Sequence, residues 1–262
     1  MKIMFIGDIV GGPGRMAVRE LLPPLISKKK IDFVIANCEN VAAGFGVTRK
    51  VVEELFSCRI DVLTSGNHIW NKREVLEFIG DFERLLRPAN YPATNPGSGT
   101  VLIPLETGEY VGVLNLAGRI FMQPIDCPFV TAKNKIAELR KKTKIIIVDI
   151  HAEATSEKKA LGWYLDGEVS AVLGTHTHVQ TADEEILPQG TAFISDAGMT
   201  GPFDSVIGIK KETIIERFLT QMPNKFDLAK DDIRMQGVIV NVDESSGKAN
   251  SIERISVKLK DS

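Results

Sequence analysis

Four histidines, His68, His151, His176 and His178, are the only ones in this chain of 262 residues, and each follows a run that reads as a core strand. A lone histidine in an apolar setting is more often a satisfied core residue than a ligand. Four at strand ends point instead to a shared polar centre, and a metal site is the chemistry such a centre most simply serves. The densest stretch is Gly174-Thr175-His176-Thr177-His178, directly after the β-rich run Val169 to Leu173. Polar residues close other predicted strands: Asp8 follows Ile3 to Ile6, Glu39-Asn40 follows Phe33 to Ala36, and Gly66-Asn67-His68 follows Val62 to Thr64. Groups at successive strand ends converge on the crevice above a parallel sheet, where open α/β folds place ligands. The seven residues Asp8, Glu39, Asn40, Asn67, His151, His176 and His178 offer oxygen and imidazole nitrogen donors, which suit Mn²⁺, Fe²⁺ or Zn²⁺. Seven side chains are too many for one ion; they suit two ions sharing a carboxylate, ~3.5–4 Å apart, as in two-metal hydrolases. Taken singly, Glu39 reads equally as a surface acid and Asn67 as a turn residue.

Other signals have plainer readings. Gly11-Gly12-Pro13-Gly14 has neither the Lys-Ser/Thr of a P-loop nor the spacing of a dinucleotide fingerprint, so it reads as a loop turning into a helix beside a site. Strand alternation turns Cys38 away from Glu39 and makes it a small buried hydrophobe rather than a ligand. Asp149, two residues before His151, either orients an imidazole or serves a turn. Cys38, Cys58 and Cys127 are three cysteines without CxxC spacing, which argues against a disulfide framework and fits a reducing cytoplasm. With a formal net charge of −2 there is no basic footprint for duplex nucleic acid. Gly7-Asp8 ends the first apolar run too early for a signal sequence, and no apolar segment approaches the ~20 residues of a membrane span.

The elements that must position these residues alternate. Strands are expected at Ile3–Ile6, Phe33–Ala36 and Val62–Thr64. Helices are expected at Arg15–Lys29, kinked or broken by Pro23-Pro24, and at Arg49–Cys58 with Thr48 as N-cap. Such βαβ units favour a parallel sheet. The Pro- and Asn-rich stretch from Leu86 to Gly99 reads as a long surface loop. Strands at Thr100–Leu105 and Tyr110–Leu116 flank a hairpin signal, Glu106-Thr107-Gly108-Glu109. Helix 133–142, strand 144–150, helix 157–165 and strand 169–173 restore the parallel pattern. From Ala192 onward the chain reads as antiparallel: strands Gln236–Val242 and Ile252–Leu259 flank a second hairpin, and helix Lys211–Leu219 carries an apolar face of Ile214, Ile215, Phe218 and Leu219.

The blocks Gly7-Asp8, Glu39-Asn40, Gly66-Asn67-His68, Asp149-Ile150-His151 and Gly174-Thr175-His176-Thr177-His178, in this order, resemble the signature of calcineurin-like metallophosphoesterases over residues 1 to about 200. With Ala43-Gly44-Phe45-Gly46 and Asp196-Ala197-Gly198-Met199-Thr200-Gly201-Pro202, the chain is more similar to the bacterial YmdB-type cyclic-nucleotide phosphodiesterases, over nearly its whole length. Val10 stands where the wider superfamily has the histidine of an Asp-x-His block, and Glu39-Asn40 where it has a bridging aspartate; both match the YmdB-type pattern. The resemblance, with the mixed strand order, implies an α/β fold: a four-layer α/β/β/α sandwich of two mixed sheets, with residues 1–262 as one metallophosphoesterase domain. It implies two divalent or trivalent metal ions, iron or manganese first and zinc as the alternative. Asp8, Glu39, Asn40 and His178 would hold the first ion, and Glu39, Asn67, His151 and His176 the second, with Glu39 bridging. A hydroxide shared by the ions would be the nucleophile, and His68 the general acid. The reaction implied is hydrolysis of small cyclic nucleotides, with 2′,3′-cyclic monophosphates first to test. A phosphomonoesterase such as a nucleotidase, or a regulator that binds a nucleotide without turnover, are the alternatives, and the presence of His68 counts against the last. Phe45 either offers an aromatic face to a base or plugs the space beneath its glycine-rich loop. The expected partners are the nucleotide and other copies of the chain in a homo-oligomer, with no duplex nucleic acid and no membrane, in the cytoplasm.

Overall fold

The computed structural model describes residues 1–106 and 108–260. Its first half runs β1 (Lys2–Ile6), β2 (Asp8–Ile9), α1 (Gly11–Lys29), β3 (Phe33–Asn37), α2 (Arg49–Ser57), β4 (Val62–Thr64) and α3 (Val75–Phe78). The middle runs β5 (Thr100–Pro104), β6 (Tyr110–Ala117), α4 (Pro128–Leu139), β7 (Ile145–His151), α5 (Thr155–Tyr164), β8 (Ala171–Thr175), β9 (Glu185–Ile186) and β10 (Ala192–Ile194). The chain then adds β11 (Met199–Pro202), α6 (Lys211–Thr220), β12 (Ile233–Val242) and β13 (Ala249–Lys258).

Two mixed sheets result, ordered β2-β11-β12-β1-β3-β4, with β13 also on β12, and β5-β6-β7-β8-β10-β9. In the first, β1, β3 and β4 are parallel and β12 runs antiparallel to β1. In the second, β6, β7, β8 and β10 are parallel. The strands are apolar at nearly every position because each sheet is covered on both faces. Ile3, Phe5, Phe33 and Ile35 pack against Val111, Val113, Ile145, Ile147 and Leu173 between the sheets. The alternate residues Met4, Ile6, Val34 and Ala36 pack under Ala17, Val18, Leu22, Val52 and Leu55 of α1 and α2. On the other side, Ile146, Val148 and Val172 pack under Ala132, Ile136 and Leu161 of α4 and α5. The layers are therefore α/β/β/α, as expected.

Several local expectations are corrected. α1 starts at Gly11 rather than Arg15 and runs through Pro23 and Pro24. Both prolines lie on its exposed face, where water can satisfy the carbonyls one turn earlier that lose their N–H partners. Thr48 holds the N-cap position of α2 but makes no side-chain cap hydrogen bond. α4 begins at Pro128, five residues before Lys133, with proline in its first turn, where its missing N–H costs nothing. The stretch from Leu86 to Gly99 is not wholly a surface loop: Leu86, Arg87, Asn90 and Tyr91 are buried. The Asn90 amide explains this, donating to Ala117 O (2.7 Å) and Asp126 O (3.0 Å) and accepting from Ala117 N (2.9 Å). The β5–β6 hairpin forms, although Thr107 of its turn signal lies outside the described residues. The C-terminal part is mixed rather than antiparallel throughout, since β10 runs parallel to β8 and β11 parallel to β2. α6 forms, but its apolar face enters no core. Among the described residues, no helix is long and apolar enough to cross a membrane.

Candidate metal centre

The parallel strands of both sheets deliver their C-terminal ends to one crevice. Asp8 follows β1, Glu39 and Asn40 follow β3, and Asn67 and His68 follow β4; from the other sheet His151 ends β7, and His176 and His178 follow β8. All eight are linked by direct contacts. His151 Nε2 lies 3.0 Å from Asn67 Oδ1, 3.0 Å from His176 Nδ1 and 3.2 Å from Glu39 Oε2. The other Glu39 oxygen, Oε1, accepts from Asn40 Nδ2 (3.0 Å) and lies 3.2 Å from His68 Nδ1. Asn40 Nδ2 is 3.1 Å from His178 Nε2, while its amide oxygen faces His68 Nδ1 at 2.9 Å. Asp8 Oδ2 accepts the backbone N–H of His176 at 3.0 Å. Glu39 thus stands between two groups of donors, one on each of its oxygens.

The centre is tight and charged. A Cβ on Gly66 would lie 2.3 Å from His151 Nε2 and 2.4 Å from Glu39 Oε2, so only glycine lets the two sheets' donors approach there. His176 (φ 105°) and His178 (φ 63°) both adopt left-handed backbone that non-glycine residues rarely take, a strain typical of functional loops. Burial pushes the Glu39 carboxyl up, but the charge and hydrogen bond of His151, with His68, hold it well below the usual carboxylate range. Burial lowers His151, yet the charge and hydrogen bond of Glu39, with Asp8 and Asp149, bring it up to about 9. Burial and the neighbouring His151 push His176 down to about 3, so its imidazole is neutral. Burial raises the Asp8 carboxyl, and its Oδ1 is a buried acceptor without a hydrogen-bond partner.

This donor set fits a metal. Glu39, His151 and His176 present ligand atoms all within 4.8 Å of one another, an arrangement that can hold an ion. The orphaned Asp8 oxygen and the facing imidazole nitrogens of His151 and His176 would each be satisfied by a cation, as would the buried charge of Glu39.

Comparison with known proteins places the chain. A family model described as YmdB-like protein matches residues 4–255. The chain belongs to the YmdB-like family. It is similar to the 2′,3′-cyclic-nucleotide 2′-phosphodiesterase of Bacillus subtilis (strain 168), with 51% identity over 255 residues, covering 97% of this chain and 96% of the relative. Among solved structures it resembles a hypothetical protein from Thermus thermophilus, with TM-score 0.92 and 40% identity over 98% of this chain and 99% of that one. It also resembles a novel phosphatase from Mycoplasma pneumoniae, with TM-score 0.92 and 35% identity over 98% and 93% of the two chains.

Around the YmdB-like centre stand further polar residues, and of these sequence reasoning weighed a role only for Asp149. His151 Nδ1 meets Thr175 Oγ1 at 2.9 Å, and that hydroxyl donates to Asp149 Oδ1 at 2.8 Å. Asp149 therefore orients the imidazole through Thr175 and leaves Nε2 to face the other donors. Burial lifts the Asp149 carboxyl to about 7, against the lowering charge of His151. Asn37 Nδ2 donates to Asp149 Oδ2 (3.1 Å), and its oxygen accepts from Glu39 N (3.1 Å). Asp196 Oδ2 accepts from Thr177 N (2.9 Å) and Thr177 Oγ1 (2.8 Å) and pairs with buried Lys158 (3.0 Å), bracing the strained histidine loop from behind. Glu153 Oε2 lies 3.0 Å from His176 Nε2, and Ile207 O lies 3.0 Å from His178 Nδ1. Asp149, Thr175, Thr177 and Asp196 fell within recognised blocks; Asn37, Glu153, Lys158 and Ile207 gave no signal, since their contacts depend on the tertiary fold. Cys38 is fully buried in the core beneath α1 and α2, and burial raises its thiol further. Phe45 packs edge-on against His68, ring centroids 5.0 Å apart at 89°, and so braces that imidazole.

Proposed function

We propose that this chain is a metal-dependent phosphodiesterase that hydrolyses small cyclic nucleotides, 2′,3′-cyclic monophosphates foremost. The observation that carries this reading is the position of buried Glu39 between two donor groups in the wall of a cavity of about 590 Å³, large enough for one small ligand. The activity named for the Bacillus subtilis relative, 51% identical over 97% of this chain, supports it. In this reading residues 1–262 act as one domain. Asp8, Glu39, Asn40 and His178 would hold one ion and Glu39, Asn67, His151 and His176 a second, with iron or manganese first and zinc as the alternative, all three suited by this mixed oxygen and nitrogen set. Asn40 contributes through its amide oxygen, which requires its side chain to turn from the His68-facing orientation. When bound, the ions supply Lewis-acid stabilisation of the phosphate charge and acidify a water.

The chain's own residues do the rest. Thr175 and Asp149 keep the His151 Nδ1 proton in place and Nε2 turned to the centre. With Asn40 turned, His68 Nδ1 still faces one acceptor, Glu39 Oε1 at 3.2 Å, and carries its proton there. This orients Nε2 as the nitrogen that serves the substrate. As a water oxygen joins phosphorus and the bond from phosphorus to the ribose O2′ breaks, protonated His68 gives its Nε2 proton to that oxygen. Phe45 holds the ring in place for the transfer.

The test is a substrate panel on the metal-loaded protein, with and without chelator, for the wild type and His68→Ala. Turnover of 2′,3′-cyclic nucleotides should vanish with chelation. His68→Ala should keep its metal and lose ~10²–10⁴-fold in kcat, with a smaller loss on bis-p-nitrophenyl phosphate, whose leaving group needs little protonation. Preference for phosphomonoesters over every cyclic nucleotide would overturn the substrate assignment, and full turnover in metal-free protein would overturn the metal role.

A further inference from the structure

α6 is an amphipathic helix that no core uses. None of its residues is buried, and Phe218 and Leu219 are 73% and 80% exposed. The excursion that carries it is pinned at its base, where Ile209 bridges Leu228, and Lys210 N donates to Asp227 O at 2.9 Å. That base is tied to the metal-centre residues through Ile207 O and His178 Nδ1. Ile214, Arg217 and Phe218 lie three and four residues apart on one face of the helix. Together with Phe226 they wall the same cavity into which Glu39, Asn40, His68, His176 and His178 open. Arg217 lays its guanidinium 4.8 Å from the Phe226 ring centroid, which steadies that ring.

The cavity therefore has a polar part, built from strand ends, and an apolar aromatic part, built from α6 and the segment after it. A cyclic nucleotide has the same division: an anionic phosphate and a flat base with an apolar face. Phe45 is engaged edge-on with His68, so the aromatic rings contributed by the excursion are Phe218 and Phe226. We infer that Phe218 and Phe226, the latter backed by Arg217, form the nucleobase subsite of this centre; the inference rests on the cyclic-nucleotide reading above. Of the apolar face of the helix, Ile214 and Phe218 line the cavity and are the part that substrate completes. Stacking on such rings tolerates every base, so the subsite would recognise nucleosides as a class rather than one base.

The experiment compares the wild type, Phe218→Ala and Phe226→Ala on adenosine 2′,3′-cyclic monophosphate and on glycerol 1,2-cyclic phosphate, which carries the same five-membered cyclic diester without a base. The wild type should favour the nucleotide in kcat/KM, chiefly through KM. Each variant should reduce that preference by roughly 5- to 150-fold, the range lost with one stacked base. Phe218 is exposed enough that its truncation leaves folding intact, and a melting curve checks this for both variants. A wild type that turns over the nucleotide, with variants whose preference is unchanged, overturns the subsite and leaves the phosphodiesterase reading standing. So does a variant that only loses oligomer mass, which would give the face to a second copy of the chain. A wild type inactive on both cyclic diesters overturns the underlying activity instead.

Discussion

Replacement of Lys158 by methionine strips the charge from a buried pair that braces the histidine loop. Lys158 and Asp196 side chains are each 1% exposed, with Nζ 3.0 Å from Oδ2, and the ammonium also donates to Thr175 O at 3.1 Å. Removing it strands a buried carboxylate, a change that costs ~3–5 kcal/mol in comparable pairs. Asp196 keeps donors from Thr177 N, Thr177 Oγ1 and Gly198 N, so the loss should fall at the lower end. About 3 kcal/mol is expected, or a drop in melting temperature of roughly 6–12 °C for a chain of this size. The double variant Lys158→Met/Asp196→Asn removes both charges and should be more stable than the sum of the two single losses. Urea unfolding of metal-stripped protein, followed by tryptophan fluorescence, gives the double-mutant cycle. Metal content of the purified variants reports the loop separately, and Asp196→Asn should lose the most, since Asp196 holds Thr177 between the two histidines. A cost for Lys158→Met below ~1 kcal/mol, or strict additivity in the double variant, would refute the pairing argument.

Thr175→Val keeps the side-chain shape but cuts the link between His151 Nδ1 and Asp149, and should weaken metal binding ~10–100-fold in a chelator competition; unchanged affinity would remove Thr175 from that role. In metal-stripped protein His151 titrates at about 9 against an ordinary 6.5, so its stabilising proton is fully present below pH 6.5 and lost as pH rises through 9. The urea midpoint of stripped protein should therefore fall across that window, and His151→Ala should abolish the fall; an equal fall in both would assign it to another group.

The sequence by itself determined most of the strands and the identity of the residues at their ends, but not the short strands β2, β9, β10 and β11. Doubly covered strands must be apolar at nearly every position, so β1, β3, β4, β6 and β7 are legible as runs, and Asp8, Glu39, Asn67, His68 and His151 stand out as the polar residues that end them. Local spacing also located α2 and α6 to within a residue at their ends. What it could not supply was any relation that depends on separation in space. That Asn37 bonds Asp149 is a consequence of two sheets meeting face to face, that Lys158 pairs with Asp196 depends on where α5 lies against its sheet, and that Thr175 carries the Asp149 contact to His151 depends on β7 and β8 lying side by side. In the sequence Asn37 and Lys158 are ordinary polar residues. The same limit explains α1, whose prolines are harmless because that face meets water, and Asn90, whose amide draws a loop-like segment inward. It explains α6 as well: an amphipathic pattern specifies an apolar face, but only the tertiary structure decides that Ile214 and Phe218 of this face line a cavity instead of joining a core.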